Sequence, residues 1–175
     1  MSRTCLVAFI GCALCAACSE PSLTELDVDL QAVRVSAEVS RPFAGRCETA
    51  FTFLAPLPGD PPNVQRVHID YICQLRHLGR TTGSAEQVVV FTSPTTLSAS
   101  NTTTYTAANG DQLFATWTGT GTFDAATLTV TFAGPETYAG GTGRFANASG
   151  STMLAGSASL ATASGAFTLA GALTY

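Results

Sequence analysis

Thr127-Leu128-Thr129-Val130-Thr131-Phe132-Ala133 alternates without a break, with Leu128, Val130 and Phe132 on one side of an extended chain and Thr127, Thr129 and Thr131 on the other. A period of two marks a strand with one buried face, and β-branched residues suit it. The C-terminal segment Ala166–Tyr175 repeats the pattern, setting Phe167, Leu169, Leu173 and Tyr175 against Thr168, Ala170, Ala172 and Thr174. Outward from these two segments, clusters of turn-forming residues cut the chain into strand-length pieces at Glu48–Leu54, Val64–Leu75, Gln87–Phe91, Leu97–Ala107, Gln112–Gly119 and Ser151–Leu160. That makes eight strands and no helical period beyond a single turn around Arg144–Ala148. The expected fold class is all-β, a single antiparallel up-and-down β-barrel, which leaves no exposed edge; a β-sandwich is the competing architecture.

The cysteines set the register of the first hairpin. Cys5, Cys12, Cys15 and Cys18 crowd the N-terminus, which leaves Cys47 and Cys73 as the candidate disulfide. Placing Cys47 opposite Cys73 puts Thr49 opposite Tyr71, Phe51 opposite Ile69 and Phe53 opposite Val67, all on one face. The disulfide and the apolar pattern therefore ask for the same register. The turn then falls on Leu57-Pro58-Gly59-Asp60-Pro61-Pro62. Two sulfurs without a CxxC spacing or a histidine pair do not make a zinc set, so neither a metal nor another cofactor is expected. A second turn signal, Asn109-Gly110, predicts a two-residue type I′ hairpin that sets Tyr105 opposite Phe114 and Thr102 opposite Trp117 on opposite sides of the sheet.

Met1-Ser2-Arg3 precedes an apolar and small-residue run from Thr4 to Ala17 that ends in Cys18. A charged start, an apolar stretch of about 7–15 residues and a small-residue exit fit an export signal, and the run is shorter than the roughly 20 residues of a membrane-spanning helix. Cys15-Ala16-Ala17-Cys18 resembles a lipobox, with Cys15 where leucine is usual and Leu14 one residue earlier. On this reading residues 1–18 are a lipoprotein-type signal peptide, and Cys18 is diacylated to become the mature N-terminus. The alternative is an ordinary secretory peptide cleaved nearby. Two acyl chains anchor stably where one is marginal. The expected location is the bacterial cell envelope, and an oxidising envelope lets Cys47 and Cys73 bond. Residues 19–46 read as an acidic tether and lead-in, with Pro42-Phe43 marking where packing begins, and 47–175 as the barrel.

Composition excludes some partners. The chain has no lysine, eight arginines and a net charge of −4, so nothing could neutralise a run of phosphates and nucleic acid is not expected as a partner.

The stretch Tyr138–Ser151, YAGGTGRFANASGS, carries Gly140, Gly141, Gly143, Arg144 and Phe145. It resembles the glycine-rich signature of the allene oxide cyclase and dirigent barrels, and strings like it occur in bacterial exported proteins of unknown activity. The resemblance implies a small calycin-like barrel in which this segment joins two late strands. It also implies, by analogy alone, a cyclase or isomerase acting inside, and a dimer or trimer as an open question. The glycines themselves call for positive φ and close backbone approach at a turn. Phe145 reads as a plug under the barrel end, and Arg144 as a solvated or carboxylate-paired cation.

Chemistry-bearing residues gather in a few places. Arg66, His68, Asp70, Gln74 and Arg76 share the face of the second strand opposite Val67, Ile69, Tyr71 and Cys73, so His68 and Asp70 are either surface residues or a general base with its orienting carboxylate. His77, just past that strand, either reaches a barrel mouth or is satisfied by a backbone carbonyl. Tyr71, Tyr105, Phe114 and Trp117 are candidates to line a ligand cavity. Three roles follow: a membrane-tethered binding module for a small hydrophobic molecule, an isomerase or cyclase working in the same lumen, and a structural envelope protein whose barrel is filled by its own side chains. Lumen volume separates the last from the first two.

Overall fold

The structure, a computed structural model, describes residues 39–175; the export segment, Cys18 and the tether up to residue 38 lie outside the described residues. Eight strands run in chain order: β1 (Ser40–Leu54), β2 (Val64–Leu75), β3 (Gly79–Phe91), β4 (Thr96–Ala107), β5 (Gln112–Asp124), β6 (Thr129–Gly141), β7 (Ser149–Ser159) and β8 (Ser164–Thr174). Each pairs antiparallel with its neighbour, and β1 pairs with β8 to close the barrel. The fold class is the one that the strand count calls for.

The disulfide reading of the first hairpin holds residue by residue. Cys47 pairs with and bonds to Cys73, and Thr49–Tyr71, Phe51–Ile69 and Phe53–Val67 are opposed as the apolar pattern required. Four strands are longer than the sequence suggested: β3 starts at Gly79 rather than Gln87 and β5 ends at Asp124 rather than Gly119, and two further extensions shape the interior. The barrel begins at Ser40 rather than Cys47, because the supposed lead-in Ser40–Arg46 pairs with Arg46-facing Thr168 through Thr174 of β8 and buries Phe43 completely. The second is β6, which passes through Pro135 instead of stopping at Ala133. Proline cannot donate to a ladder. The β5–β6 pairing lapses opposite Gly134 and Pro135 and resumes at Glu136–Trp117, while β6 stays paired with β7 through Pro135–Met153. Leu128, expected to share a face with Val130 and Phe132, instead turns the chain with φ 53° and lies exposed.

The Asn109-Gly110 hairpin differs by one residue from the expected two-residue form. Gly110 N–H donates to the Ala107 carbonyl and Ala107 N–H to the Asp111 carbonyl, with Gly110 at φ 89°. This is a type I turn followed by a left-handed glycine, the usual three-residue loop. The change matters because a one-residue slip exchanges the faces of a strand. Tyr105 now opposes Leu113 and Thr104 opposes Phe114, so Phe114 faces outward, 39% exposed, while Tyr105 and Trp117 share the interior.

The two ends of the barrel are packed differently. At one end, where the β2–β3, β4–β5 and β6–β7 connections meet, Phe43, Leu113, Phe145 and Leu173 are fully buried above the disulfide. The glycine-rich segment builds this cap. Ala139 and Gly140 together oppose Phe114 as a bulge, with Gly140 at φ 82°, and Gly143–Phe145 form one turn of 3₁₀ helix. Gly143 has φ 55°, and a Cβ there would displace the Asp111 carboxylate, so the turn favours glycine chiefly for its backbone conformation. Phe145 packs on Tyr175 at 5.0 Å between ring centroids. Arg144 crosses the cap, donating to the His77 carbonyl and lying 3.8 Å from Asp111.

The chain-entropy treatment assigns a cross-link closing a loop of this size about 3–4 kcal/mol. The Cys47→Ala/Cys73→Ala double variant is therefore expected to unfold at lower urea with an unfolding free energy smaller by about that amount. Denaturation curves of the two proteins measure it.

Candidate functional site

Below the packed cap the interior opens. Ala85, Ala99, Gly119, Gly121 and Ala158 occupy inward positions on β3, β4, β5 and β7, where larger side chains would meet across the axis. They leave a cavity of about 250 Å³. Its walls are apolar for the most part, with Phe51, Val89, Leu97, Phe132, Leu154 and Phe167 among them, and it reaches the end of the barrel opposite the cap. Phe53 and Leu128, both largely exposed, stand at that end. Gln87, Asn101 and Thr103 form a polar strip down the β3–β4 wall, Asn101 donating to Gln87 at 3.1 Å and accepting from Thr103 at 3.2 Å.

The floor is polar. Glu136 projects inward from β6, 1% exposed, and lines the cavity. Tyr105 donates to its Oε1 at 2.8 Å, Tyr138 to its Oε2 at 2.5 Å, and Thr152 approaches Oε2 at 3.5 Å while lying 2.9 Å from the Tyr138 hydroxyl. Three strands, β4, β6 and β7, thus aim hydroxyls at one carboxyl. Tyr71 from β2 stands beside Tyr105, ring centroids 6.2 Å apart. Trp117 lies across Gly119, whose missing Cβ makes room for the indole, and donates to the Gly134 carbonyl at 3.2 Å. That carbonyl is available because the β5–β6 ladder lapses there.

Electrostatics at the floor follow from burial. Desolvation raises the Glu136 pKa against the hydroxyl bonds from Tyr138, Tyr105 and Thr152, which lower it. Burial pushes Tyr71 up to about 12, and burial together with the Glu136 charge raises Tyr105 and Tyr138 well above the ordinary phenol range. All three phenols keep their protons near neutrality and remain donors. The cluster can hold either form of the acid. Ionised Glu136 accepts from Tyr105 and Tyr138; protonated, it donates from Oε2 to the Tyr138 oxygen, Tyr138 turns to donate its hydrogen bond to Thr152 Oγ1, and Tyr105 still donates to Oε1. A carboxyl wired this way can give or take a proton without leaving a buried polar atom unpaired.

The residues singled out from sequence divide between lumen, wall and cap. Tyr71, Tyr105 and Trp117 line the cavity together. Phe114 does not, for the register reason given above. His68 and Asp70 lie on the outer face, 3.5 Å apart. His77 sits at the cap, away from the open end, with φ 72° and its Nε2 3.0 Å from the Pro42 carbonyl. The glycine string and Arg144 also belong to the cap and touch no part of the cavity. Glu136 and Tyr138 escaped the sequence reading because it ended the sixth strand at Ala133; Thr152 lies inside the expected strand Ser151–Leu160 and was not singled out. The signal was present: Gly134, Glu136 and Tyr138 continue the phase of Val130 and Phe132, which places a lone glutamate on an inward face.

Among the described residues no group of His, Cys, Asp and Glu is arranged to hold a metal ion, and no helix is long and apolar enough to cross a membrane. Compared with known proteins, the chain significantly matches no family model, no curated protein and no solved structure.

The raised pKa of Glu136 fixes the sign of a stability effect. Between the ordinary glutamate value of 4.5 and its folded value, the folded state binds a proton that the unfolded state does not, so stability falls as pH rises through that window. Melting temperatures of wild type and Glu136→Gln, measured from pH 4 upward, are expected to diverge in favour of the variant as pH rises. Parallel profiles would show that Glu136 does not titrate with folding.

Proposed function

We propose that this barrel is a binding module that holds one small, predominantly apolar molecule in its lumen, with a single polar group of that molecule turned toward the Glu136 floor. The observation that carries this reading is the combination of a hollow, apolar lumen open at one end with a hydroxyl-ringed carboxyl at its bottom. Ligand sites are commonly apolar cavities with a few convergent polar groups. At about 250 Å³ the lumen lies between the ~150 Å³ that admits benzene and the ~300 Å³ at which drug-sized pockets begin, so the ligand is of one-ring or short-chain size. A barrel filled by its own side chains would have no such space, which counts against the purely structural role.

A second reading, an isomerase or cyclase, is favoured by one feature. Glu136 is an acid–base group buried against an apolar substrate space, the setting in which a carboxyl with a raised pKa transfers protons. The likeness of Gly140–Phe145 to the allene oxide cyclase and dirigent signature adds nothing to it, because those residues lie in the cap.

We propose too that the domain is exported and tethered through a diacylated Cys18. The lipobox-like Cys15–Cys18 and the spacer that follows support this reading, as does the cross-strand disulfide, which belongs to an oxidising compartment.

Two measurements test these proposals. Ala99→Phe places a ring in the lumen and is expected to lower the affinity for an apolar fluorescent probe at least tenfold while leaving the β-sheet circular dichroism unchanged; unchanged affinity would put binding elsewhere. Metabolic palmitate labelling is expected to mark the full chain and not the Cys18→Ala variant, and unlabelled wild type would overturn the anchor.

A further inference from the structure

We infer that the lumen selects an organic cation, an apolar molecule carrying one protonated amine, for which Glu136 is the counter-ion. This inference rests on the lumen-binding reading and specifies its ligand class.

The first ground is a charge without a partner. Glu136 is the one charged residue buried among the described residues, and its three hydrogen-bonding neighbours are neutral hydroxyls. The chain has no lysine, and none of the described arginines is buried. Buried carboxylates are ordinarily paired with a cation, since hydroxyl bonds alone offset only part of the desolvation. Here the cavity occupies the place where the cation would stand, because Glu136 is part of its lining.

The second ground is the direction of the hydrogen bonds. Tyr105 has Glu136 as its only side-chain partner and donates to it, and Tyr138 donates to the other oxygen. A floor built of donors aimed at a carboxyl favours its ionised form, which then attracts a donor rather than a carbonyl. Oε1 carries one bond, from Tyr105, and a carboxylate oxygen can accept two.

The third ground is the wall. The aromatic rings of Tyr71, Tyr105, Trp117, Phe132 and Phe167 line the cavity, and aromatic faces attract an ammonium group, most strongly where it is desolvated. The remaining apolar wall accommodates the rest of the ligand. A neutral alcohol gains the wall and one hydrogen bond but leaves the carboxylate without a counter-ion.

The groups that bear on titration of the site are few. Tyr105 faces Glu136 from β4, Tyr71 from β2 and Tyr138 from its own strand; β5, β7 and β8 present Trp117, Thr152, Leu154 and Phe167, none of which ionises. Amine binding favours the ionised carboxyl and so releases any proton that Glu136 holds in the empty protein.

Trp117 is the single tryptophan of the chain and lies in the lumen wall, so its fluorescence reports occupancy directly. Three probes of one shape separate the terms: propylbenzene, 2-phenylethanol and 2-phenylethylamine, titrated into wild type and Glu136→Gln at pH 7.5. The amine is expected to bind wild type at least tenfold tighter than the alcohol, and the glutamine variant to lose that preference while still binding the hydrocarbon. Equal binding of amine and alcohol by wild type, or a preference that survives in the variant, would overturn the cation inference and leave the lumen-binding reading standing. Failure of all three probes would overturn both. If the variant does not fold, wild type alone decides: amine affinity should fall at acidic pH, where Glu136 is protonated, while alcohol affinity stays flat, and a flat amine profile refutes the inference.

Discussion

Closure of the sheet is the constraint from which the other features follow. The β1–β8 pairing runs from Ser40–Thr174 to Ala50–Ser164, and it converts an eight-stranded ribbon with two free edges into a ring with none. Once the ring is closed, the two-residue period of every strand sorts side chains into an inside and an outside, and no strand can slip without exchanging the two. The disulfide locks one seam of this ring next to the closing seam, because β1 carries both the Cys47 bond to β2 and the pairing to β8. Extension of β1 back to Ser40 also brings Phe43 under the cap, where its ring meets Tyr138 edge-on at 5.3 Å. Tyr138 in turn holds Glu136. The position of the carboxyl is thereby linked to closure through two contacts.

Within the ring, residue size rather than polarity divides the interior. The cap half is filled by phenylalanine, leucine and the cystine, and the other half is hollowed by alanine and glycine at inward positions. The polar floor lies where the two halves meet. That placement is economical in hydrogen bonds. The hydroxyls of Tyr105, Tyr138 and Thr152 reach inward from β4, β6 and β7 and converge on the same carboxyl, and no buried side-chain nitrogen or oxygen among the described residues is left unpaired.

The architecture was legible in the chain because it rests on alternation and on one covalent constraint. Alternation at Val130–Phe132 and Phe167–Leu173, and the coincidence of the cysteine register with the apolar register in the first hairpin, are local facts that survive folding unchanged. Illegible features depended on turn geometry. Asn-Gly is compatible with both a two-residue and a three-residue loop, and only the sheet decides between them; the decision moved Phe114 out and brought Tyr105 and Trp117 together. The sixth strand, read from its alternation only as far as Ala133, runs on through Pro135, which stays opposite Met153 of β7 while the β5–β6 pairing lapses beside the indole of Trp117, and so reaches the glutamate that forms the site. The glycine string was the most family-like feature of the sequence, yet its residues serve the cap.

A carboxyl buried in an apolar barrel is a poor device for stability. Replacing buried charged groups by apolar residues of similar size is commonly neutral or stabilising, and a lone acid without a cation bears the desolvation cost with only hydroxyl bonds to offset it. Three neutral donors lower that cost without removing it, which is why burial still raises the Glu136 pKa. The consequence is a floor able to take either of two protonation states, each fully hydrogen-bonded. Interaction with a bound molecule then shifts the preference between them, by one unit of pKa for each increment of about 1.4 kcal/mol in differential interaction. A floor of this kind responds to the charge of what enters the lumen, whereas the apolar wall above it responds only to size and shape. Selectivity for charge and tolerance of shape therefore reside in different layers of the same barrel, and the boundary between them is the ring of hydroxyls contributed by β4, β6 and β7.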